Sequence, residues 1–204
     1  VTDVSALAGC ASLHTLNLTS CYRVTDKSIR ALACCANLHT LNLSGCDLVT
    51  DVNELGKCKN LHTLNLSGCI RITNVSALVG CPWLHTLNLS FCEGLTDVNP
   101  LGDCESLHDL DLSCCIRITN VSNLGSCQSL YKLNLSYCSG ITDVNELWKC
   151  KNLHKLNLKG CLRINNVNKL GDAISLHTLD LTSCYRVTDV SALAGCASLH
   201  TLNL

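Results

Sequence analysis

The sequence predicts an α/β solenoid, an arc with a parallel concave β-sheet of nine short strands and short 3₁₀ or helical turns on its convex side. Three observations support this fold class. The motif Leu-x-x-Leu-x-Leu recurs throughout the 204 residues, spaced by 25 residues from Leu13 to Leu38 and by 23 thereafter. Apolar residues make up 47% of the chain, which provides a core for every repeat. Aromatic residues make up only 3%, so that core must consist of small aliphatic side chains.

The repeats divide the chain into one uninterrupted domain, residues 1–204, of about nine repeats. The nine copies of the motif are Leu13–Leu18, Leu38–Leu43, Leu61–Leu66, Leu84–Leu89, Leu107–Leu112, Leu130–Leu135, Leu153–Leu158, Leu176–Leu181 and Leu199–Leu204. Residues 1–18 and 187–204 are identical, and neither end carries a polar capping repeat. We therefore expect a fragment or an uncapped array.

The residue pattern within a repeat predicts its secondary structure. Positions are counted from the first Leu of the motif as position 1. Positions 1, 4, 6, 12, 15 and 18 are Leu, Ile or Val in most repeats, and they must point inward because one repeat cannot bury its apolar face alone. The alternation over positions 4 to 6 predicts a strand with one buried face. Positions 2, 3, 5, 7 and 8 then face solvent on the concave side. The convex segment is short, except that residues 27–32 include two extra residues and have room for an α-helical turn.

Two features of the repeat resemble known leucine-rich repeats. The L-x-x-L-x-L-x-x-C core, with a second Cys three residues before the next Leu, resembles the cysteine-containing subclass found in F-box proteins. The stretch Val-Thr-Asp-Val-Ser-Ala-Leu and the short period resemble the internalin type, whose convex side carries a 3₁₀ turn. The resemblance covers the whole chain and implies a curved solenoid with a concave parallel sheet. Ala173 departs from it by replacing one second Cys.

Sixteen of the 18 cysteines fall on two ladders, at positions 9 and 21. The regularity favours buried, reduced thiols that pack as small apolar groups. Disulfides between adjacent repeats are an alternative, since a spacing near 4.8 Å can be bridged. Metal binding by the recurrent Cys-x-x-x-His pairs is a third, although the two side chains would diverge. We expect free thiols, no metal or cofactor, and an intracellular, cytoplasmic location.

All eight histidines lie at position 2, with Tyr131 at the same position in one repeat. Five consecutive copies, from His14 to His108, should stack at the strand spacing of about 5 Å. A catalytic histidine needs a uniquely placed nucleophile or carboxylate, whereas these have the same Thr or Asn neighbours in nearly every repeat. The chain contains no phosphate-binding loop or nucleophile elbow. The sequence therefore predicts that the protein is not an enzyme.

The repeat pattern is interrupted on the concave face between residues 91 and 159, where aromatic and charged residues replace the usual Gly, Thr and Asn. Such residues are enriched in protein interfaces, so we expect a protein or peptide partner here, although drift on an unselected surface is the alternative. The candidate residues are Phe91, Asp109, Asp111, Tyr131, Lys132, Tyr137, Lys155 and Lys159. A net charge of −1 argues against nucleic acid and an anionic membrane as partners. The alternative function is a structural protein that forms homo-oligomers head to tail through its ends.

A second pattern has a period of two repeats. Position 11 alternates between Arg and Gly, as Arg71, Gly94, Arg117, Gly140 and Arg163, and position 14 alternates between Asp and Asn. Duplication of a 46-residue pair explains this order, and alternation with Asn also keeps like charges apart.

Overall fold

The computed structural model describes residues 1–204 as an arc built on one nine-stranded parallel sheet, with the strands in chain order. The strands are β1 (Thr15–Asn17), β2 (Thr40–Asn42), β3 (Thr63–Asn65), β4 (Thr86–Asn88), β5 (Asp109–Asp111), β6 (Lys132–Asn134), β7 (Lys155–Asn157), β8 (Thr178–Asp180) and β9 (Thr201–Asn203). Each residue pairs with the same position of the next repeat, as Leu64 does with Leu41 and Leu87. The predicted solenoid and its parallel sheet are confirmed.

The opposite side of each repeat carries one short helical element. Eight 3₁₀ turns span Ser5–Leu7, Asn53–Lys57, Ser76–Gly80, Asn99–Asp103, Ser122–Ser126, Asn145–Lys149, Asn168–Asp172 and Ser191–Gly195. The single α-helix, α1 (Asp26–Leu32), lies in the repeat with two extra residues, as predicted, and buries Ile29 and Leu32. The structure has no helix with the length and apolar character needed to cross a bilayer.

The core is a stack of identical layers between the sheet and the turns. It contains 60 buried residues, mainly the Leu, Ile and Val ladders together with the two cysteine ladders. The thiols donate to backbone carbonyls of the preceding repeat, as Cys69 Sγ does to the Leu43 oxygen at 3.2 Å and Cys81 Sγ to the Leu55 oxygen at 3.1 Å.

All 18 cysteines are unbridged, in agreement with the free-thiol hypothesis. Burial raises the pKa of Cys58 and of Cys69 to about 12, and that of Cys81 to about 11. These thiols therefore remain protonated at neutral pH and act as weak donors within an apolar layer.

Candidate interaction site on the concave face

Three central strands bring the charged candidate residues together. Position 3 of neighbouring strands is in direct register, so Asp109 of β5 lies beside Lys132 of β6, which lies beside Lys155 of β7. Lys132 and Lys155 are exposed, and Asp109 and Lys159 are half-buried. The site is thus divided into an acidic strand and two basic strands, about 5 Å apart.

The two aspartates have different surroundings. Asp111 accepts hydrogen bonds from the Ser113 backbone N–H at 2.8 Å, from Ser113 Oγ at 2.7 Å and from Asn134 Nδ2 at 3.1 Å. Its carboxylate is therefore largely occupied in holding the turn that follows β5. Asp109 meets only His108, whose Nδ1 lies 3.2 Å from Asp109 Oδ2, and is free to accept from a ligand. Lys132, Lys155 and Lys159 form no ion pair within the chain.

Two open concavities lie side by side on these strands. One, of about 300 Å³, has Thr86, Asn88, Asp109, Asp111, Lys132 and Asn134 among its lining residues. The other, of about 320 Å³, includes Lys132, Asn134, Lys155, Thr178, Asp180 and Asn203. They share Lys132 and Asn134, so a single extended ligand could cover both.

The candidate aromatic residues at position 8 have an unusual backbone conformation. This position has a positive φ in every repeat from Ser20 to Ser183. Gly45, Gly68 and Gly160 adopt it without strain, whereas the other residues at this position must place a Cβ in the left-handed region, namely Ser20, Phe91 (φ 59°), Cys114, Tyr137 (φ 60°) and Ser183. For an L-residue this costs about 1–2 kcal/mol. The side chains of Phe91 and Tyr137 are nevertheless about half exposed, at 52% and 48%.

Tyr131 lies in a stack of rings rather than facing solvent like Phe91 and Tyr137. Its ring lies between His108 at 4.7 Å and His154 at 4.3 Å, both distances between ring centroids. Both faces of the ring are covered, so only its edge and hydroxyl are available to a partner.

The stack itself differs from the sequence prediction, which placed it from His14 to His108. One stacked pair joins His39 and His62, and a longer run extends from His85 through Tyr131 to His200. The prediction was wrong because the stack is interrupted between His62 and His85, where the ring of Trp83 is stacked with that of His62 at 6.4 Å. The imidazoles also differ in their hydrogen-bond partners, since the Nδ1 of His62 lies 2.9 Å from the Asn60 carbonyl whereas those of His39 and His85 lie near the following Thr Oγ1.

In two repeats, position 7 does not face solvent as predicted. Ser90 and Ser136 are buried, at 6% and 7% exposure, and Ser90 Oγ shares a 2.7 Å hydrogen bond with Ser67 Oγ. Asp180, by contrast, was missed by the sequence reasoning although it lines the second concavity. Burial would raise its pKa, but hydrogen bonds from Thr182 and Asn203 outweigh burial and hold it below the usual range. The sequence contained an indication that this residue differs from its neighbours, since Asp180 replaces the usual Asn at position 5.

One group of side chains offers donors for a metal ion, namely His85, His108 and Asp109, whose ligand atoms lie within 4.8 Å of one another. Two nitrogens bound to one zinc ion at about 2.0–2.1 Å are less than about 4.2 Å apart, and their lone pairs converge on the metal. Here the two imidazole planes are stacked 4.6 Å apart and only 16° from parallel, so their lone pairs do not converge. The arrangement is part of the stack and not a formed metal centre.

Sequence comparison detects the repeat directly. A family model described as leucine rich repeats (2 copies) matches residues 36–80 and again residues 59–103. A second, described as leucine rich repeat, matches residues 9–33. Comparison with curated proteins gave no match.

Solved structures extend the similarity to nearly the whole chain. Internalin C2 from Listeria monocytogenes superposes with a TM-score of 0.72 at 27% identity, over 93% of this chain and 80% of that one. Internalin F from the same organism gives 0.67 at 18% identity, over 100% and 71% of the two chains. The leucine-rich repeat domain of the type III effector XopL gives 0.66 at 16% identity, over 84% and 70%. The last two, at such low identity, show likeness of fold alone.

Proposed function

Because the chain is a leucine-rich repeat protein with an internalin-like fold, we propose that it is a non-enzymatic scaffold that binds a protein or peptide on its concave surface. Leucine-rich repeat proteins generally act as protein-interaction scaffolds. The specific proposal for this chain is a site formed by β5, β6 and β7 together with the aromatic residues Phe91 and Tyr137 beside them.

The strained aromatic residues support this proposal most strongly. Glycine occupies position 8 in three other repeats and would relieve the strain at Phe91 and Tyr137. Burial of the ring does not fully compensate for the backbone strain at either residue, since each side chain is about half exposed. Ser20, Cys114 and Ser183 have the same backbone strain, so the feature that distinguishes Phe91 and Tyr137 is an exposed aromatic side chain at a strained position. Exposed aromatic anchors are the residues that contribute most to protein interfaces.

The charges indicate the chemistry of the partner. Asp109 is available to a cationic group over β5, while the unpaired Lys132 and Lys155 would attract an anionic group over β6 and β7. The complementary segment therefore carries a basic and an acidic side chain about 5–10 Å apart, with an apolar residue that can contact Phe91 or Tyr137. Because the net charge of the chain is −1, we do not propose nucleic acid or a membrane as a partner.

Selection from a random peptide display library tests the site without assuming any particular partner. The wild-type protein should enrich peptides that combine basic, acidic and apolar residues. Phe91→Ser with Tyr137→Ser should weaken binding of these peptides by a few kcal/mol at the better position. Trp83→Ser is the matched control, because it removes an aromatic side chain that is 57% exposed but lies outside the site. Equal loss in the control, or no loss in the double variant, would place the binding surface elsewhere.

The alternative function, head-to-tail self-assembly into a homo-oligomer, differs in solution behaviour. Sedimentation velocity at increasing concentration should show one species for a binding scaffold and growing species for an assembling protein. Growth that persists in the Phe91→Ser/Tyr137→Ser variant would favour the alternative, since those side chains are not at the ends.

We also propose that the protein works inside the cell, in the cytoplasm or another reducing compartment. The support is its 18 unbridged thiols, most of them buried. Thiol titration of the protein purified from its source under denaturing, non-reducing conditions should find nearly all of them free. A majority of bridged cysteines would instead place the protein in an oxidising compartment.

A further inference from the structure

The two-repeat alternation forms a surface feature that the concave site does not use. At positions 10 and 11, three repeats, each separated from the next by one repeat, present an aliphatic residue followed by an arginine. These pairs are Ile70–Arg71, Ile116–Arg117 and Leu162–Arg163, here called the arginine ridges. The aliphatic residues are exposed at 46%, 47% and 49%, and the arginines are exposed as well. None of these arginines forms an ion pair.

Glycines in the intervening repeats leave notches between the ridges. A Cβ added to Gly94 would lie 2.7 Å from the Ile70 carbonyl oxygen and 2.8 Å from that of Ile72. A Cβ added to Gly140 would lie 2.4 Å from the Ile118 oxygen. No side chain fits at either position, because the glycine packs directly on the backbone of the preceding repeat. The surface is therefore corrugated, with each notch flanked by two ridges.

The notches differ in charge. Glu93 precedes Gly94 at position 10, whereas Ser139 precedes Gly140. The second notch, between Arg117 and Arg163, thus has two unpaired cations and no acidic residue at position 10 or 11. An anionic ligand is favoured there, and the adjacent Ile116 and Leu162 require that it also carry apolar groups.

The spacing of the ridges suggests the conformation of such a ligand. Strands of a sheet lie about 4.8 Å apart, so ridges two repeats apart are separated by about 10 Å. A polyproline II helix has three residues per turn and rises about 3.1 Å per residue, which repeats one face about every 9.3 Å. Successive turns of a polyproline II helix could therefore each place one residue against successive ridges.

We propose that the arginine ridges dock an acidic, proline-rich protein segment in the polyproline II conformation, centred on the notch between Arg117 and Arg163. One carboxylate per turn pairs with an arginine, and proline rings pack on Ile116 and Leu162. A nucleic acid backbone would match the charge of the arginines but not the aliphatic half of each ridge or Glu93.

Fluorescence anisotropy with two labelled peptides tests this proposal. The peptide (Pro-Pro-Glu)₆ presents its six glutamates on one face, whereas (Pro-Glu)₆ has the same charge but distributes it around the helix. We expect the first to bind about tenfold more tightly, because only it meets successive ridges in register. Similar affinity for both peptides, or no binding of the first, would overturn the proposal.

Two double variants separate docking from general charge attraction. Arg117→Glu with Arg163→Glu should weaken binding of (Pro-Pro-Glu)₆ by about tenfold or more. Arg30→Glu with Lys151→Glu, the control, makes the same change in net charge on exposed residues that also form no ion pair and belong to other repeats, and it should leave binding within about twofold. An equal loss in the control contradicts the proposal.

Two further double variants leave the net charge unchanged. The first tests the apolar contact, and the second tests whether this surface is independent of the concave site. Ile116→Ser with Leu162→Ser should weaken binding of the same peptide, and unchanged affinity would contradict the proposed proline packing. Phe91→Ser with Tyr137→Ser should bind it like the wild type. If that variant loses the peptide instead, the ligand lies on the concave site and the ridges are not its docking surface.

Discussion

The left-handed backbone at Phe91 makes a specific prediction about stability. Phe91 has φ 59° and an exposed ring, so its replacement by Gly or by Ala removes the same side-chain contacts beyond Cβ. The two variants differ mainly in the strain at the Cα. Comparing them isolates the backbone from the loss of the ring.

The expected difference follows from two opposing effects. An L-residue in the left-handed region costs about 1–2 kcal/mol, which Gly avoids. Gly loses more conformational freedom on folding than Ala, a disadvantage of about 0.5–1 kcal/mol. We therefore expect the free energy of unfolding of Phe91→Gly to exceed that of Phe91→Ala by about 0.5–1 kcal/mol, and the same order at Tyr137.

Urea unfolding followed by circular dichroism measures this difference. The control is the same pair of substitutions at Thr86, which lies in β4 and has no positive φ, where Ala should be the more stable variant. Equal stability of the Gly and Ala variants at Phe91, or an advantage for Ala, would show that the backbone at Phe91 is not strained. The proposed binding site at Phe91 and Tyr137 would then lose the support of backbone strain.

Three other predictions concern the thiols and the imidazoles. Stability should fall above about pH 9, because unfolded thiols ionise there while Cys58, with a pKa raised to about 12, stays protonated. The unfolded chain then binds fewer protons, and each such thiol should lower the free energy of unfolding by about 1 kcal/mol per pH unit in urea melts at about pH 8–10. In native alkylation followed by mass spectrometry, the exposed Cys34 should react first and the buried ladders only after unfolding; rapid reaction at Cys58 or Cys69 would contradict their burial. Burial and the nearby imidazoles of His62 and His14 lower the pKa of His39, so the unfolded chain binds more protons. Melting temperature should therefore decrease slightly as the pH falls below about 6.5, and His39→Gln should reduce that decrease.

The fold could be predicted because every layer of the solenoid has the same types of residue at the same positions. A leucine such as Leu64 has one environment, between Leu41 and Leu87, and that environment follows from the period alone. The α-helix at Asp26–Leu32 was predictable for a related reason, since two added residues must be accommodated on the convex side.

The details of the site depend on geometry that the period does not specify. The sequence places Tyr131 and Phe91 on the same face, but only the structure shows that the first ring is covered by His108 and His154 while the second is half exposed. Side-chain orientation also separates His62 from His85, although both occupy position 2. The positive φ at position 8 had a partial signal in the glycines found there, such as Gly68.

A crystal structure of the protein with the best peptide from the display library tests the concave binding site most directly. We predict a peptide that lies across β5, β6 and β7, with an apolar side chain against Phe91 or Tyr137, a basic group at Asp109 and an acidic group at Lys132 or Lys155. A peptide bound on the 3₁₀ turns or at either end of the sheet, with the concave face empty, would contradict this function.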